Sequence, residues 1–195
     1  MSSRDDILDA VRRNQPVPRP LPVVPMFDDA LPPALEAFKA NVTRMGGQAV
    51  ELPVSADLDA FMRERFPDAR VTCSATPEVT GTRDLADVQE PANLADVDVG
   101  VVRARFGVAE TGSVFLSETE FSVSALGYLA QHLIVLLDPD AIVPNLHQAY
   151  RHEAFHAARY AVLMTGPSAT ADIEGILIHG AQGVRSLTVV LTPRR

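Results

Sequence analysis

Two loops carry the residue types from which a small-molecule site could be assembled. In Phe106-Gly-Val-Ala-Glu-Thr-Gly-Ser113, a carboxylate (Glu110) and a hydroxyl (Thr111) stand beside Gly112, a residue that permits close backbone approach. A carboxylate so placed can serve as general base or nucleophile. In Met164-Thr-Gly-Pro-Ser-Ala-Thr-Ala-Asp-Ile-Glu174, hydroxyls recur at Thr165, Ser168 and Thr170 around the turn residue Gly166, and Asp172 and Glu174 follow. If this stretch runs from a strand into a helix, the free amides of the helix N-terminus and the hydroxyls together make an anion site. Each loop also has a plainer reading. The first is an ordinary Thr-Gly turn; the second is helix capping by Ser168 or Thr170, with Asp172 and Glu174 complementing the helix dipole. Neither is a GxGxxG or phosphate-loop pattern.

His152-Glu-Ala-Phe-His156 matches H-E-x-x-H, in which two imidazoles four residues apart on one helix face hold a zinc ion. The pattern lacks a glycine–histidine continuation, so Glu174 or His179 would have to fold back as third ligand. The expectation is therefore a solvated helix face, with Glu153 close to Arg151 and no metal. His132 and His147 show no partner in the sequence, and Asp138-Pro-Asp140 reads as a turn rather than a carboxylate dyad.

The elements that must position these residues follow from periodicity. Arg4–Arg13 is a short amphipathic helix with basic residues at its C-terminal end. Residues 16–25 hold proline too often for helix or central strand and read as an extended arm, either a linker or a segment that docks on a partner. Leu31, Leu35, Phe38 and Val42 predict a helix closed by Gly46-Gly47; Ala49–Leu52 a strand; Leu58 to Phe66 a helix; Arg70–Cys73 a strand. Ser74–Asp96 is polar, a long loop with or without one short helix. The apolar runs Val97–Val102, Ser113–Leu116 and His132–Leu137 read as strands buried on both faces of a mainly parallel sheet. Ser124–Ala130, Pro144–Ala158 and Ala171–Ile178 read as helices, Tyr160–Met164 and Leu187–Leu191 as strands. The fold class is thus α/β, a mainly parallel sheet flanked by helices. In such sheets ligands bind at the carboxyl ends of strands, where both loops are expected.

Composition narrows the function classes. With 195 residues, 47% of them hydrophobic, the chain fits one domain with a sizeable core. A formal net charge of −8 disfavours nucleic acid and anionic membrane surfaces as partners. Cys73 is the only cysteine, so no disulfide or iron–sulfur cluster can be built from this chain alone. The N-terminal stretch is amphipathic rather than a leader, and no apolar run reaches the roughly 18 residues of a membrane span; a cytoplasmic location is expected.

Gly107-Val-Ala-Glu-Thr-Gly-Ser113, then Thr165-Gly-Pro-Ser-Ala-Thr-Ala-Asp-Ile-Glu174, then Gly180-Ala-Gln-Gly-Val-Arg185 resemble, in order and spacing, the pattern of the lactate-utilisation (LUD) domain, and in particular the short lactate-utilisation protein C, or YkgG-like, family. The resemblance implies a division into an N-terminal helix and proline-rich arm (1–26) and a LUD domain (27–192). It implies a fold similar to the sugar-phosphate isomerase and coenzyme A transferase-like superfamily. It further implies a subunit without a cofactor of its own that works with iron–sulfur partner proteins in oxidising L-lactate to pyruvate. By position, Glu110 becomes the candidate catalytic residue. Thr111, Gly112, Thr165, Gly166, Ser168, Thr170, Asp172, Glu174 and Arg185 become candidate binders of a small anionic ligand, with Pro167, His179 and Gly180 beside them. Arg103 and Arg105 depart from the small or acidic residues expected before the first motif, and favour a carboxylate or phosphate as ligand. The alternative is a stand-alone isomerase or acyl-coenzyme A transferase with Glu110 as base or nucleophile; metal-dependent hydrolysis ranks third.

Overall fold

The computed structural model describes residues 2–172 and 175–194. Its helices and strands run α1 (Ser3–Arg13), α2 (Ala34–Arg44), β1 (Gln48–Glu51), α3 (Leu58–Arg65), β2 (Thr72–Ser74), β3 (Val99–Arg103), β4 (Phe106–Val108), β5 (Ser113–Ser117), α4 (Glu118–Phe121), α5 (Leu126–Leu129), β6 (His132–Leu137), β7 (Ile142–Val143), α6 (Leu146–Ala149), α7 (Glu153–Ala157), β8 (Ala161–Met164), β9 (Ala169–Thr170), β10 (Ile178–His179) and β11 (Ser186–Leu191). No described helix is long and apolar enough to cross a membrane.

The central sheet has five parallel strands in the order β1-β11-β6-β3-β2. Period-two alternation sorts its apolar side chains. Leu133, Val135 and Leu137 of β6 face one side, with Phe38 and Val42 of α2; Ile134 and Leu136 face the other, with Leu58 and Met62 of α3. Both faces are covered, as continuous β-branched and leucine runs require. The mainly parallel, helix-flanked α/β class read from the sequence is the observed one.

A second sheet, β7-β4-β5-β8, lies against the α2 side. Two strands assigned from the sequence to the parallel sheet belong here instead: β5 pairs antiparallel with β4 and with β8. Burial on both faces made the apolar run of β5 look like a central parallel strand. One face, Val114 and Leu116, joins the main core; the other, Phe115, stacks on Phe106 and packs with Phe155. The chain changes sheets within two residues. The Ala104 amide still donates to Leu136 of the parallel ladder (2.9 Å), whereas the Arg105 amide donates to Phe115 of the second sheet (3.2 Å).

Two expected helices are corrected. Pro144–Ala158 is not one helix: Asn145 caps α6, and His152, with extended backbone (φ −67°, ψ 131°), caps a separate α7. Ala171–Ile178 is not helical over its described residues either, because β9 and β10 pair antiparallel across it, Thr170 opposite Ile178 and Ala169 opposite His179. The polar stretch 74–96 carries two 3-10 turns, Leu85–Asp87 and Pro91–Leu94, each with a buried leucine.

At the N-terminus, α1 is capped by local chemistry. Ser2 and Asp5 form a reciprocal capping box, and none of its residues is buried. Residues 15–28 hold no helix or strand, and Val17, Leu21 and Val23 are exposed. The arm is pinned where it meets the domain, by the Asn145 side-chain amide donating to the carbonyls of Met26 (2.8 Å) and Phe27 (3.2 Å).

Candidate functional site

Helix α2 organises both motif loops. The Asn41 side-chain amide donates to the carbonyls of Ala109 (2.8 Å) and Glu110 (3.1 Å), fixing the turn between β4 and β5. Gly112 lies so close to the helix that a Cβ there would meet the backbone nitrogen of Val42 at 2.5 Å, and its φ is +66°. Just beyond, at the C-cap of the same helix end, Gly166 (φ +62°) lies against the Met45 carbonyl, where a Cβ would collide with the oxygen. The two loops therefore rest side by side on one helix, joined by a chain of hydroxyls. Thr111 Oγ1 lies 2.7 Å from Ser113 Oγ, which in turn hydrogen-bonds Thr165 Oγ1.

The remaining motif residues part from this junction. Glu110 is exposed, and its Oε2 accepts from the Leu146 amide (2.9 Å) at the start of α6. It also lines a groove of about 500 Å³ with Phe27, Leu31, Asn41, Asn145 and His147, in which Phe27 lies 4.8 Å from the His147 ring. The Ser168 amide donates to the Val184 carbonyl (2.9 Å), and its own carbonyl accepts from Gly180 (2.7 Å). Thr170 sits in β9, Asp172 is exposed, and Glu174 lies outside the described residues. The expected helix N-terminus that would have presented amides beside Ser168 is absent from the described residues; a hairpin occupies its place.

The loops also sit at a different end of the central sheet from the one expected. The Arg185 amide donates to the Gln131 carbonyl (2.8 Å), next to the start of β6. The second and third motifs thus close over the amino ends of the parallel strands, because β8 runs antiparallel to β5 in the other sheet. There Arg185 lines a small cleft with Arg65, Asp98 and His132. His132 is held below its ordinary pKa by burial, with the positive charges of Arg185 and Arg65 adding to the effect. Asp98 is held low by the amides of Val71 and Arg70.

At the carboxyl ends of the parallel strands lies a separate cleft of about 290 Å³, lined by Ala75, Thr76, Glu78, Arg103, Arg105, Thr119, Glu120 and Arg194 among others. Arg103 and Arg105 flank the sheet crossover two residues apart, so their side chains leave the backbone on the same side. Arg103 is nearly buried and grips Glu78 through Nε and Nη2, and Thr76 Oγ1 donates to the same carboxylate (3.0 Å). Burial pushes the Glu78 carboxyl up, but these bonds outweigh it and hold it below the usual range. Glu120, also buried, takes Arg105 on one oxygen (2.7 Å) and the Ser117 amide (2.9 Å) and hydroxyl (2.5 Å) on the other. The two arginines were visible in the sequence as a departure from the motif. Glu78, Glu120, Thr76 and Arg194 were not, since they come from unrelated segments that only the fold gathers.

The H-E-x-x-H imidazoles are committed elsewhere. His152 Nδ1 accepts from the Ala154 amide (3.2 Å) and its ring stacks on Phe106 at 4.5 Å, while His156 Nε2 bonds the Tyr150 carbonyl (2.8 Å). With His152 outside the helix, the two rings do not share a helix face; half-buried, it also departs from the solvated face expected. No group of three potential metal ligands occurs among the described residues.

A family profile described as LUD domain matches residues 82–192. That segment holds the three inner strands of the parallel sheet and the whole second sheet, while 27–81 supplies the edge strands β1 and β2 and the covering helices α2 and α3. The chain is 27% identical over 170 residues to lactate utilization protein C of Geobacillus kaustophilus, covering 81% of this chain and 68% of that one. It is 26% identical over 177 residues to lactate utilization protein C of Exiguobacterium, covering 80% and 76%. A crystal structure of a DUF162 family protein from Deinococcus radiodurans has the same fold, with a TM-score of 0.62 at 16% identity over 82% of this chain and 96% of that one. On the profile match and these relatives, the chain belongs to the LUD domain family.

Proposed function

We propose that this chain is a lactate utilization protein C-like subunit of a cytoplasmic complex that oxidises L-lactate to pyruvate, the electrons passing to iron–sulfur clusters in partner subunits. The observation that supports it best is the name shared by relatives that align with about four-fifths of the chain. A single, buried cysteine leaves this chain without a thiolate set for a cluster, so electron transfer falls to the partners. The stand-alone isomerase or transferase reading needs a free Glu110 carboxylate. It has less support, because one oxygen of Glu110 already caps α6. The candidate ligand residues at the motif loops, from Thr111 to Arg185, then act in ordering the α2 face and in contacts with ligand or partner.

The test is recovery of the tagged chain from cells grown on L-lactate. Cysteine-rich proteins with an iron–sulfur absorbance should co-purify in fixed ratio, and deletion of the gene should abolish growth on L-lactate. Purification as a lone chain, with lactate growth unaffected by deletion, overturns the proposal. Covalent labelling of Glu110 by an acyl-coenzyme A would favour the transferase.

A further inference from the structure

The cleft at the carboxyl ends of the parallel strands combines fixed charge, neutral donors and a small apolar wall. Three guanidinium groups, of Arg103, Arg105 and Arg194, face two carboxylates, Glu78 and Glu120, leaving one positive charge in excess. Both carboxylates are occupied on each oxygen, so neither has an oxygen left to bind a cation alone. The guanidinium groups that keep unpaired donors lie elsewhere. Arg194 is exposed and makes no close ion pair with a described residue, although its charge helps to hold the Glu78 carboxyl low, and its backbone amide is anchored to Asp138 (3.1 Å). Arg105 engages Glu120 through Nε and Nη2, which leaves Nη1 without a partner among the described residues, and its side chain is 41% exposed. Ala75, Pro77 and Ala104 supply apolar contact, and Thr119 a hydroxyl, within the same 290 Å³.

We propose that this cleft binds a small monocarboxylate, held by Arg194 and the outer edge of Arg105, with its short carbon chain against Ala75, Pro77 and Ala104. The geometry favours a monoanion over phosphate on two counts. A single excess positive charge is neutralised by one carboxylate, whereas a dianion would stand uncompensated near Glu78 and Glu120. Among the described residues no glycine lines the cleft, so it lacks the glycine-rich backbone cradle by which phosphate is usually held. Arg103, spent on Glu78 and directed at the Thr192 carbonyl (3.5 Å), is a positioning residue that fixes the floor. The volume, at the low end for ligand sites, suits a molecule of a few carbons. The choice of L-lactate and pyruvate as probes rests on the function proposed above; the cleft's preference for a monocarboxylate does not.

The experiment is calorimetric or NMR titration of the purified full chain with L-lactate, pyruvate, acetate and inorganic phosphate, repeated on Arg194→Gln, Arg194→Glu and Arg105→Lys. Arg194 is exposed, so its variants fold, and unchanged thermal unfolding verifies this. Saturable millimolar binding of the monocarboxylates, stronger than that of phosphate, is expected. It should weaken about tenfold or more in Arg194→Gln, and further in Arg194→Glu. Arg105→Lys should weaken it too, because a lysine keeps the charge and loses the fork. Absence of saturable monocarboxylate binding, tighter binding of phosphate, or binding indifferent to Arg194 overturns the proposal. Binding in a chain that recovers no iron–sulfur partners sustains the cleft and overturns only the proposed complex; partners recovered without binding do the reverse.

Discussion

Glu110 illustrates how one side chain can read as chemistry and be held as architecture. Its Oε2 receives the Leu146 amide, one of the orphan donors of the first turn of α6, alongside the Asn145 cap on Gln148 (2.9 Å). Glu110→Ala should therefore cost about 0.5–2 kcal/mol of stability, as for loss of a helix cap, while Glu110→Gln, which keeps an acceptor oxygen, should cost less. Urea unfolding of both variants checks this, and equal losses would mean that the negative charge, not the acceptor, matters. His152 is a second case. It caps α7 and stacks on Phe106, so His152→Ala should destabilise by about 1–2 kcal/mol, without altering zinc content. A drop in bound zinc without a change in unfolding midpoint would restore the metal reading. The H-E-x-x-H spacing was legible in the sequence. What broke it, an extended backbone at His152 that lets the ring reach β4, depends on a second sheet that no local pattern announces.

At the scale of elements, α2 is the part on which the motifs converge, and its periodicity of Leu35, Phe38 and Val42 was plain from the sequence. So were β1, α3, β6 and β11, each within a residue or two. The strands of the second sheet were harder. β4 and β7 are three and two residues long and carry no alternation of their own, and the long apolar run of β5 signals burial without saying which sheet buries it. The glycines flanking α2 are read by geometry rather than by type. Gly166→Ala combines a left-handed φ with collision against the Met45 carbonyl, and should cost about 1–2 kcal/mol for the backbone plus about 1–3 kcal/mol for overpacking. Gly175, with φ +72° and nothing within 4 Å of a Cβ, should suffer the first cost alone when changed to alanine. Thermal unfolding of the pair compares the two; equal destabilisation would mean that the loop moves away from α2 rather than being wedged on it.

For the molecule as a whole, buried and hydrogen-bonded carboxylates and a half-buried histidine make stability fall on acidification. His132 is held below its ordinary 6.5, so the unfolded chain takes up its proton first, and stability falls as pH drops below that value. Glu78 is held below its ordinary 4.5 by Arg103 and Thr76 despite its burial. Its contribution is complete above that pH and is lost as pH falls through the lower, folded value. Unfolding free energy should thus decline in two stages on acidification. His132→Gln should remove the upper stage and Glu78→Gln should shrink the lower one, to which Asp98 also contributes, as followed by urea midpoints from neutral to acidic pH; a flat profile would contradict both assignments. The strand order carries a different consequence, concerned with when the molecule can exist rather than how firmly it holds. β11, last of the strands in chain order, lies between β1, the first, and β6. During synthesis β1 therefore has no neighbour in the sheet, and β6 has an open edge, until β11 clears the ribosome. Nascent chains halted before Ser186 should remain protease-sensitive and in the hands of chaperones, and acquire resistance in one late step rather than strand by strand.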